Sequence, residues 1–241
     1  MPGKTLRIPT PDGQADAFAA FPDDGERRPG VLMYADGFGL RPVLRDLALE
    51  LASHGYYVLV PNYFYRHGPA PVLELPEFIG ENERPAVFAQ VMPLIEAHTP
   101  ELVLRDASAY LEFLTAQPEV SAGPIGVTGY CIGGLHAVRT AAAHPDRVAA
   151  VAGFHAPVGA AGPENFAQLT AQAHFGHAAS DLTSETLGEL NQALDAAGVS
   201  YTSEIYPGTI HGFTMADTDS FNPAGLRRHW ERLLPLLGRA L

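Results

Sequence analysis

The chain has 241 residues, of which 46% are hydrophobic and 17% are charged. This length and composition suit one folded domain with a sizeable core and exclude an intrinsically disordered chain. The formal net charge of -12 disfavours binding to the phosphates of DNA or RNA. The sequence has neither an apolar run long enough to cross a bilayer nor an apolar signal run at its start. We therefore expect a single cytoplasmic domain over residues 1–241 that binds neither nucleic acid nor membrane.

Hydrophobic patterns predict strands that alternate with helices along most of the chain. Strands are predicted as a pair over 4–21 and then at 31–35, 56–60, 125–128, 147–153, 172–176 and 201–206. Helices are predicted at 44–51, 84–97 with an interruption at Pro93, 102–115, 135–143, 185–197 with Ser184 as its cap, and 223–237. This alternation predicts an α/β fold: a mostly parallel sheet with helices on both faces, begun by an antiparallel pair of strands.

The turn Gly129-Tyr130-Cys131-Ile132-Gly133-Gly134 joins a predicted strand to a predicted helix. It places the only cysteine of the chain between glycines, which allow a sharp turn and leave room around the residue at its apex. This pattern is typical of a nucleophile elbow, with a thiol where serine is usual. We therefore predict that Cys131 is a nucleophile.

Asp181 and His211 each follow a predicted strand, and the order nucleophile, acid, histidine is that of α/β-hydrolase enzymes. We predict that Cys131 attacks an ester or lactone carbonyl as its thiolate. In this scheme His211 moves the protons and Asp181 orients the imidazole. Elbow geometry predicts that the backbone N–H groups of Ile132 and Gly37 stabilise the oxyanion.

Other interpretations stay open for some of the charged residues. Asp181 could be only a turn or capping residue, with Asp217 or Asp219 as weaker substitutes for the acid. Asp36 could simply accept N–H groups of its own loop, and Arg66 could be a surface charge.

A metal site is not expected from the histidines of the chain. His174 and His177 are three residues apart on a predicted strand, so they would point to opposite faces. Neither a cysteine nor a cluster of carboxylates completes a tetrahedral set around them.

The elbow Gly-Tyr-Cys-Ile-Gly-Gly, followed by Pro-Gly-Thr-Ile-His-Gly-Phe, resembles the dienelactone hydrolase family (carboxymethylenebutenolidases). The resemblance extends from about residue 5 to residue 237. It implies an α/β-hydrolase fold and a catalytic triad of cysteine, aspartate and histidine. These three residues correspond to Cys131, Asp181 and His211.

The resemblance also implies residues that modulate the thiol and bind the substrate. Asp36 corresponds to an acid, usually glutamate, that interacts with the thiol in this family. Arg66 corresponds to one of two arginines that hold a substrate carboxylate, whereas Met215 stands where the second arginine is usual. Aromatic residues beside the proposed catalytic groups complete the predicted binding site: Phe38, Tyr130 and Phe213.

We therefore predict a cofactor-free carboxylic ester hydrolase that cleaves a small ester or lactone through a thioester acyl-enzyme. One alternative is the same triad acting on an unrelated ester or thioester. Another is a hydrolase-fold protein without catalysis, whose thiol senses redox state or binds a ligand. The sequence makes no prediction of the oligomeric state.

Overall fold

The strands of the chain form one mixed sheet in a computed structural model that describes residues 3–241. In chain order the strands are β1 (Gly3–Thr10), β2 (Gly13–Ala20), β3 (Gly30–Tyr34), β4 (Tyr57–Pro61), β5 (Ile125–Tyr130), β6 (Val148–Phe154), β7 (Gln172–Ala178) and β8 (Tyr201–Tyr206). Their order across the sheet is β1-β2-β4-β3-β5-β6-β7-β8. The β1–β2 and β2–β4 pairs are antiparallel and the other pairs are parallel. The predicted α/β-hydrolase fold with its antiparallel start is confirmed.

Helices connect the parallel strands and cover the sheet. They are α1 (Pro42–Ser53), α2 (Arg84–Ala97), α3 (Pro100–Thr115), α4 (Ile132–Ala143), the single turn α5 (Pro163–Phe166), α6 (Ser184–Ala196) and α7 (Pro223–Ala240). None of these described helices combines the length and the apolar character that a membrane span requires.

Neighbouring residues of β5 show that helices lie on both faces of the sheet. The side chains of Ile125 and of Leu114 in α3 both lie next to Gly30, so Ile125 points towards α3. A Cβ on Gly126 would instead meet the side chain of Leu237 in α7. Successive residues of a strand point to opposite faces, so α3 and α7 cover opposite sides. The residues of β3, β4 and β5 are all buried, as expected for central strands covered on both faces.

Two local predictions differ from the structure. Helix α2 continues through Pro93, where an interruption was expected. Proline leaves the carbonyl of Ala89 without its helical donor, and this is tolerated because Ala89 is exposed to water. The cap of α6 is Thr183 rather than Ser184, because the hydroxyl of Thr183 accepts the N–H of Thr186 at 3.2 Å.

The carboxyl ends of the central parallel strands meet at one edge of the sheet. Cys131 directly follows β5, and Asp181 and His211 follow β7 and β8. Asp36 and Gly37 follow β3 at the same edge. In open α/β sheets this edge is where binding sites are built.

Candidate active site

The backbone of Cys131 has the strained conformation of an elbow apex. Its φ of 52° and ψ of -127° lie in a region that residues other than glycine rarely adopt. Two glycines permit the turn, because a Cβ on Gly129 would overlap the carbonyl of Gly133, and one on Gly133 would overlap the carbonyl of Ala35. The elbow therefore packs backbone against backbone and projects the Cys131 side chain from the end of β5.

His211 and Asp181 form a hydrogen-bonded pair. His211 Nδ1 lies 2.8 Å from Asp181 Oδ2, and the backbone N–H of His211 donates to Ser180 Oγ at 2.9 Å. Burial alone would lower the pKa of His211. Hydrogen bonding and negative charge from Asp181 and Cys131 nevertheless raise this pKa to about 10. The pair thus holds an imidazole that readily accepts a proton beside the thiol.

A cavity of about 160 Å³ contains the side chains of Cys131 and His211 in its wall. Most of the wall is apolar, and its apolar side chains are Phe38, Ile79, Phe88, Val91, Ile95 and Met215. Helix α2 covers one side of the cavity, and only Val87 and Val91 of this helix are buried. A concave apolar site with few polar groups is typical of binding sites for small molecules.

The carboxylate of Asp36 lies in the cavity wall with Cys131, but Arg41 holds both of its oxygens. Arg41 Nη1 donates to Asp36 Oδ1 at 2.5 Å and Nη2 donates to Oδ2 at 3.0 Å. The backbone N–H of Phe38 also donates to Oδ1, at 3.1 Å. Arg41 Nε donates to Asp217 Oδ2 at 2.6 Å, so one guanidinium joins two carboxylates from distant parts of the chain.

The backbone N–H groups of Ile132 and Gly37 are the two predicted donors to an oxyanion. Ile132 is the first residue of α4, so its N–H has no partner within the helix. Gly37 lies in the cavity wall with Cys131. Over residues 3–241, neither N–H donates in the loop and side-chain hydrogen bonds of the protein. Both groups are therefore available to an acceptor.

Residues 15–241 match the sequence model of the dienelactone hydrolase family. The chain belongs to this family. The resemblance seen in the sequence is confirmed, and so is the prediction of a hydrolase of this family.

Relatives of the chain within the family include two bacterial proteins. A putative carboxymethylenebutenolidase of Methylorubrum extorquens is 26% identical over 95% of this chain and 78% of its own length. A carboxymethylenebutenolidase of Rhodococcus opacus is 28% identical over 88% of this chain and 81% of its own length. The crystal structure of a putative dienelactone hydrolase from Klebsiella pneumoniae has the same fold, with a TM-score of 0.84 at 21% identity. That superposition covers 99% of this chain and 98% of the other.

In the present chain, Arg66 lies away from the cavity that contains Cys131. Its guanidinium donates to Asp106 Oδ2 at 2.7 Å and to Asp12 Oδ2 at 2.9 Å, so it joins α3 to the β1–β2 turn. The structure therefore does not bring Arg66 to the site, although it follows the strand-4 loop as expected. Both edges of this arginine are used by carboxylates of the protein itself.

Tyr130 and Phe213 are buried beside the cavity rather than in its wall. The hydroxyl of Tyr130 lies 3.1 Å from His229 Nε2, inside the protein beneath α7. Phe213 packs edge-to-face on His155, with 5.1 Å between ring centres. Of the four residues predicted to bind substrate, only Phe38 lies in the cavity wall.

The cavity wall also contains His155 and Arg84, which were not among the site residues predicted from the sequence. His155 follows β6 and adopts a φ of 39°, and the centre of its ring lies 5.1 Å from the centre of the His211 ring. Its Nε2 lies 2.8 Å from Thr214 Oγ1, and burial holds its pKa well below the usual value, with the nearby charge of His211 adding to this effect. Its place at the end of β6, on the same edge as Cys131, was the signal available in the sequence.

Within residues 3–241, histidine, cysteine, aspartate and glutamate side chains form no group of three or more that is placed to hold a metal ion. His174 and His177 bond instead to hydroxyl groups of β8, at 2.7 Å to Thr202 and at 3.0 Å to Ser203.

Proposed function

We propose that the protein hydrolyses a small ester or lactone with Cys131 as nucleophile, His211 as base and acid, and Asp181 as the residue that orients His211. The observation that supports this most strongly is the shared cavity wall of Cys131 and His211, with Asp181 bonded to Nδ1 of the imidazole. Relatives named as carboxymethylenebutenolidases, and one named as a probable lactonase, support an ester or lactone as the substrate class.

The first half of the reaction forms a thioester. His211 takes the proton of the Cys131 thiol, and the sulfur bonds to the carbonyl carbon while the carbonyl oxygen becomes an oxyanion. The N–H groups of Ile132 and Gly37 donate to this oxyanion. The tetrahedral intermediate then breaks its bond to the leaving oxygen, which receives the proton from His211. With a lactone, the released hydroxyl stays attached to the acyl group.

The second half returns the enzyme to its starting state. Water attacks the thioester carbon while His211 takes a proton from it, and the C–S bond breaks to release the carboxylic acid. The sulfur regains its proton from His211. Asp181 favours the charged form of the imidazole in both halves, which agrees with the raised pKa of His211.

Hydrolysis by Cys131 variants tests the proposal. Purified wild type, Cys131→Ser and Cys131→Ala are assayed on phenyl acetate, 4-nitrophenyl butyrate and dihydrocoumarin, with circular dichroism as the control for folding. We expect the alanine variant to lose at least about 10³-fold in kcat on each substrate that the wild type cleaves. Acid quench and peptide mass spectrometry should find the acyl group on the peptide that contains Cys131.

Two outcomes would contradict the proposal. Unchanged turnover in Cys131→Ala would show that the thiol is not the nucleophile. Rapid labelling of Cys131 by a thiol reagent at low pH, without hydrolysis of any ester or lactone, would favour a sensing role over catalysis.

A further inference from the structure

The wall of the cavity offers an apolar surface from α2 to the residues after β3. Phe88, Val91 and Ile95 come from successive turns of α2 and lie in the same wall as Phe38 and Met215. The rings of Phe38 and Phe88 pack edge-to-face, with 5.7 Å between their centres. Phe88 is also partly exposed to solvent. A substrate group placed here would contact carbon atoms on most sides.

Arg84 is the only arginine or lysine among the described residues of this wall. Its guanidinium forms an ion pair with Asp219 Oδ1, and Nη2 also donates to Ser220 Oγ at 3.1 Å. Asp219 itself is not part of the wall. The one guanidinium of the wall is thus already paired with a carboxylate of the protein. His211, which is also in the wall and whose pKa is raised to about 10, is paired with Asp181 in the same way.

Arg41 behind the wall is occupied in the same way. This buried guanidinium bonds to Asp36 on one side and to Asp217 on the other. The two guanidiniums Arg41 and Arg84 therefore face three carboxylates, which leaves an excess of one negative charge in this part of the site. A carboxylated substrate would have to give up its water for an apolar cavity without gaining an unpaired cation.

From these contacts we propose that the site selects neutral, apolar esters or lactones over carboxylated ones, and that Asp219 sets this selectivity by occupying Arg84. The inference rests on the proposed hydrolase function and names its substrate class. Asp219 acts through Arg84 and does not touch the substrate. Removal of its charge would convert the wall into one with a free guanidinium, which suits a carboxylate.

Matched substrates measure this selectivity. We compare 3- and 4-acetoxybenzoate with their methyl esters, so that each pair differs in one charge, and take the ratio of kcat/KM for acid over ester. The wild type should give a ratio below about 0.1. Asp219→Asn, which keeps the shape of the side chain, should raise the ratio about tenfold, and 0.5 M salt should reduce that gain.

Two further variants assign the effect to Arg84. Asp23→Asn makes the same change in net charge in the exposed loop before β3, at the opposite edge of the sheet, and should keep the wild-type ratio. Arg84→Gln added to Asp219→Asn should remove the gain. Urea unfolding of each variant confirms that it is folded.

The results separate this inference from the proposed function. If the wild type shows no Cys131-dependent hydrolysis of any of the four substrates, both the proposed function and the selectivity are overturned. Cys131-dependent hydrolysis with a wild-type ratio above 1, or with a ratio that Asp219→Asn does not change, would overturn the selectivity alone.

Discussion

Arg41 and Asp36 form a two-bonded ion pair inside the protein, with 2.5 Å from Nη1 to Oδ1 and 3.0 Å from Nη2 to Oδ2. The side chain of Arg41 is 3% exposed and that of Asp36 is 7% exposed. Asp36 therefore has its oxygens directed at a guanidinium, although it lies in the same wall as Cys131. Oδ1 accepts two donors of the protein and Oδ2 accepts one, so a hydrogen bond from the thiol to Asp36 would have to be accepted at Oδ2 beside Arg41.

Replacement of Arg41 tests how strongly the pair holds the site together. Arg41→Met leaves Asp36 buried without its cation and also removes the partner of Asp217. Because an unpaired buried charge is costly, we expect the free energy of unfolding to fall by about 3–5 kcal/mol. Urea unfolding at pH 7 measures this change.

The ion pair between Arg84 and Asp219, whose side chains are 33% and 34% exposed, provides the control for the buried pair of Arg41. Arg84→Met should cost less than about 1 kcal/mol, because water screens and replaces the interaction. Equal losses in the two variants would show that burial does not decide the strength of these ion pairs.

The raised pKa of His211 should depend on its two neighbours. Asp181→Asn removes a negative charge and a strong acceptor, and Cys131→Ala removes the other interaction that raises this pKa. Burial, which lowers the pKa, stays in both variants. We expect the pKa of His211 to fall from about 10 in each variant, as followed by NMR of the imidazole protons across pH. A pKa that stays near 10 in both would contradict the arrangement of the three side chains.

The same shift predicts how stability responds to pH. The pKa of His211 rises from 6.5 to about 10 on folding, so the folded state binds a proton that the unfolded state releases earlier. The resulting stabilisation is complete below about pH 6.5 and is lost as the pH rises to about 10. The difference in unfolding free energy between wild type and Asp181→Asn should therefore shrink between pH 7 and pH 10. Urea unfolding at both values measures it, and a difference that grows with pH would contradict this sign.

The prediction of an elbow at Cys131, and of Asp181 and His211 after later strands, rests on local sequence patterns. Glycines before and after Cys131 permit a sharp turn between a strand pattern and a helix pattern, and both patterns are local features of the sequence. The overlap that a side chain on Gly133 would make with the backbone of Ala35 appears only in the folded chain. The positions of Asp181 and His211 follow from the rule that parallel strands end at one edge of the sheet. The short distance between these two side chains agrees with that rule.

Partners from distant parts of the chain could not be predicted in this way. Arg66 and Arg84 both belong to the connection after β4, and only the folded chain shows that the first binds Asp106 while the second reaches the cavity. The same limit applies to Arg41, whose partner Asp217 is 176 residues away. Periodicity and turn signals carry no information on which charge an arginine will meet.

Buried histidines predict a loss of stability in acid. Burial lowers the pKa values of His98, His174 and His177 from 6.5 to about 4, so the unfolded state binds protons before the folded state does. Above pH 6.5 these histidines are neutral in the folded and in the unfolded state, so their shifts do not reduce stability there. The free energy of unfolding falls as the pH drops from 6.5 to about 4, because only the unfolded state takes up the protons in that range. A shift of this size corresponds to about 3 kcal/mol per group at pH 4.

His98→Phe isolates one of these groups. His98 lies among the rings of Tyr63, Phe64 and His136, so phenylalanine suits its surroundings. Urea unfolding at pH 7 and at pH 4.5 gives the fall in unfolding free energy between these two pH values. This fall should be smaller in the variant than in the wild type. The same loss in both proteins would show that His98 does not titrate as an isolated buried group.

Gly133 should tolerate no side chain at all. A Cβ there would overlap the carbonyl oxygens of Ala35 and Tyr34, which belong to backbone and have no flexible end to move aside. Gly133→Ala must therefore displace the start of α4 from the segment after β3, between the two proposed oxyanion donors. We expect a loss of about 2–4 kcal/mol in unfolding free energy and a fall in kcat larger than the rise in KM. Gly188→Ala is the matched control, because this position within α6 has open space around it and alanine favours a helix by about 1 kcal/mol. A Gly133→Ala variant as stable and as active as Gly188→Ala would contradict the close backbone packing at the elbow.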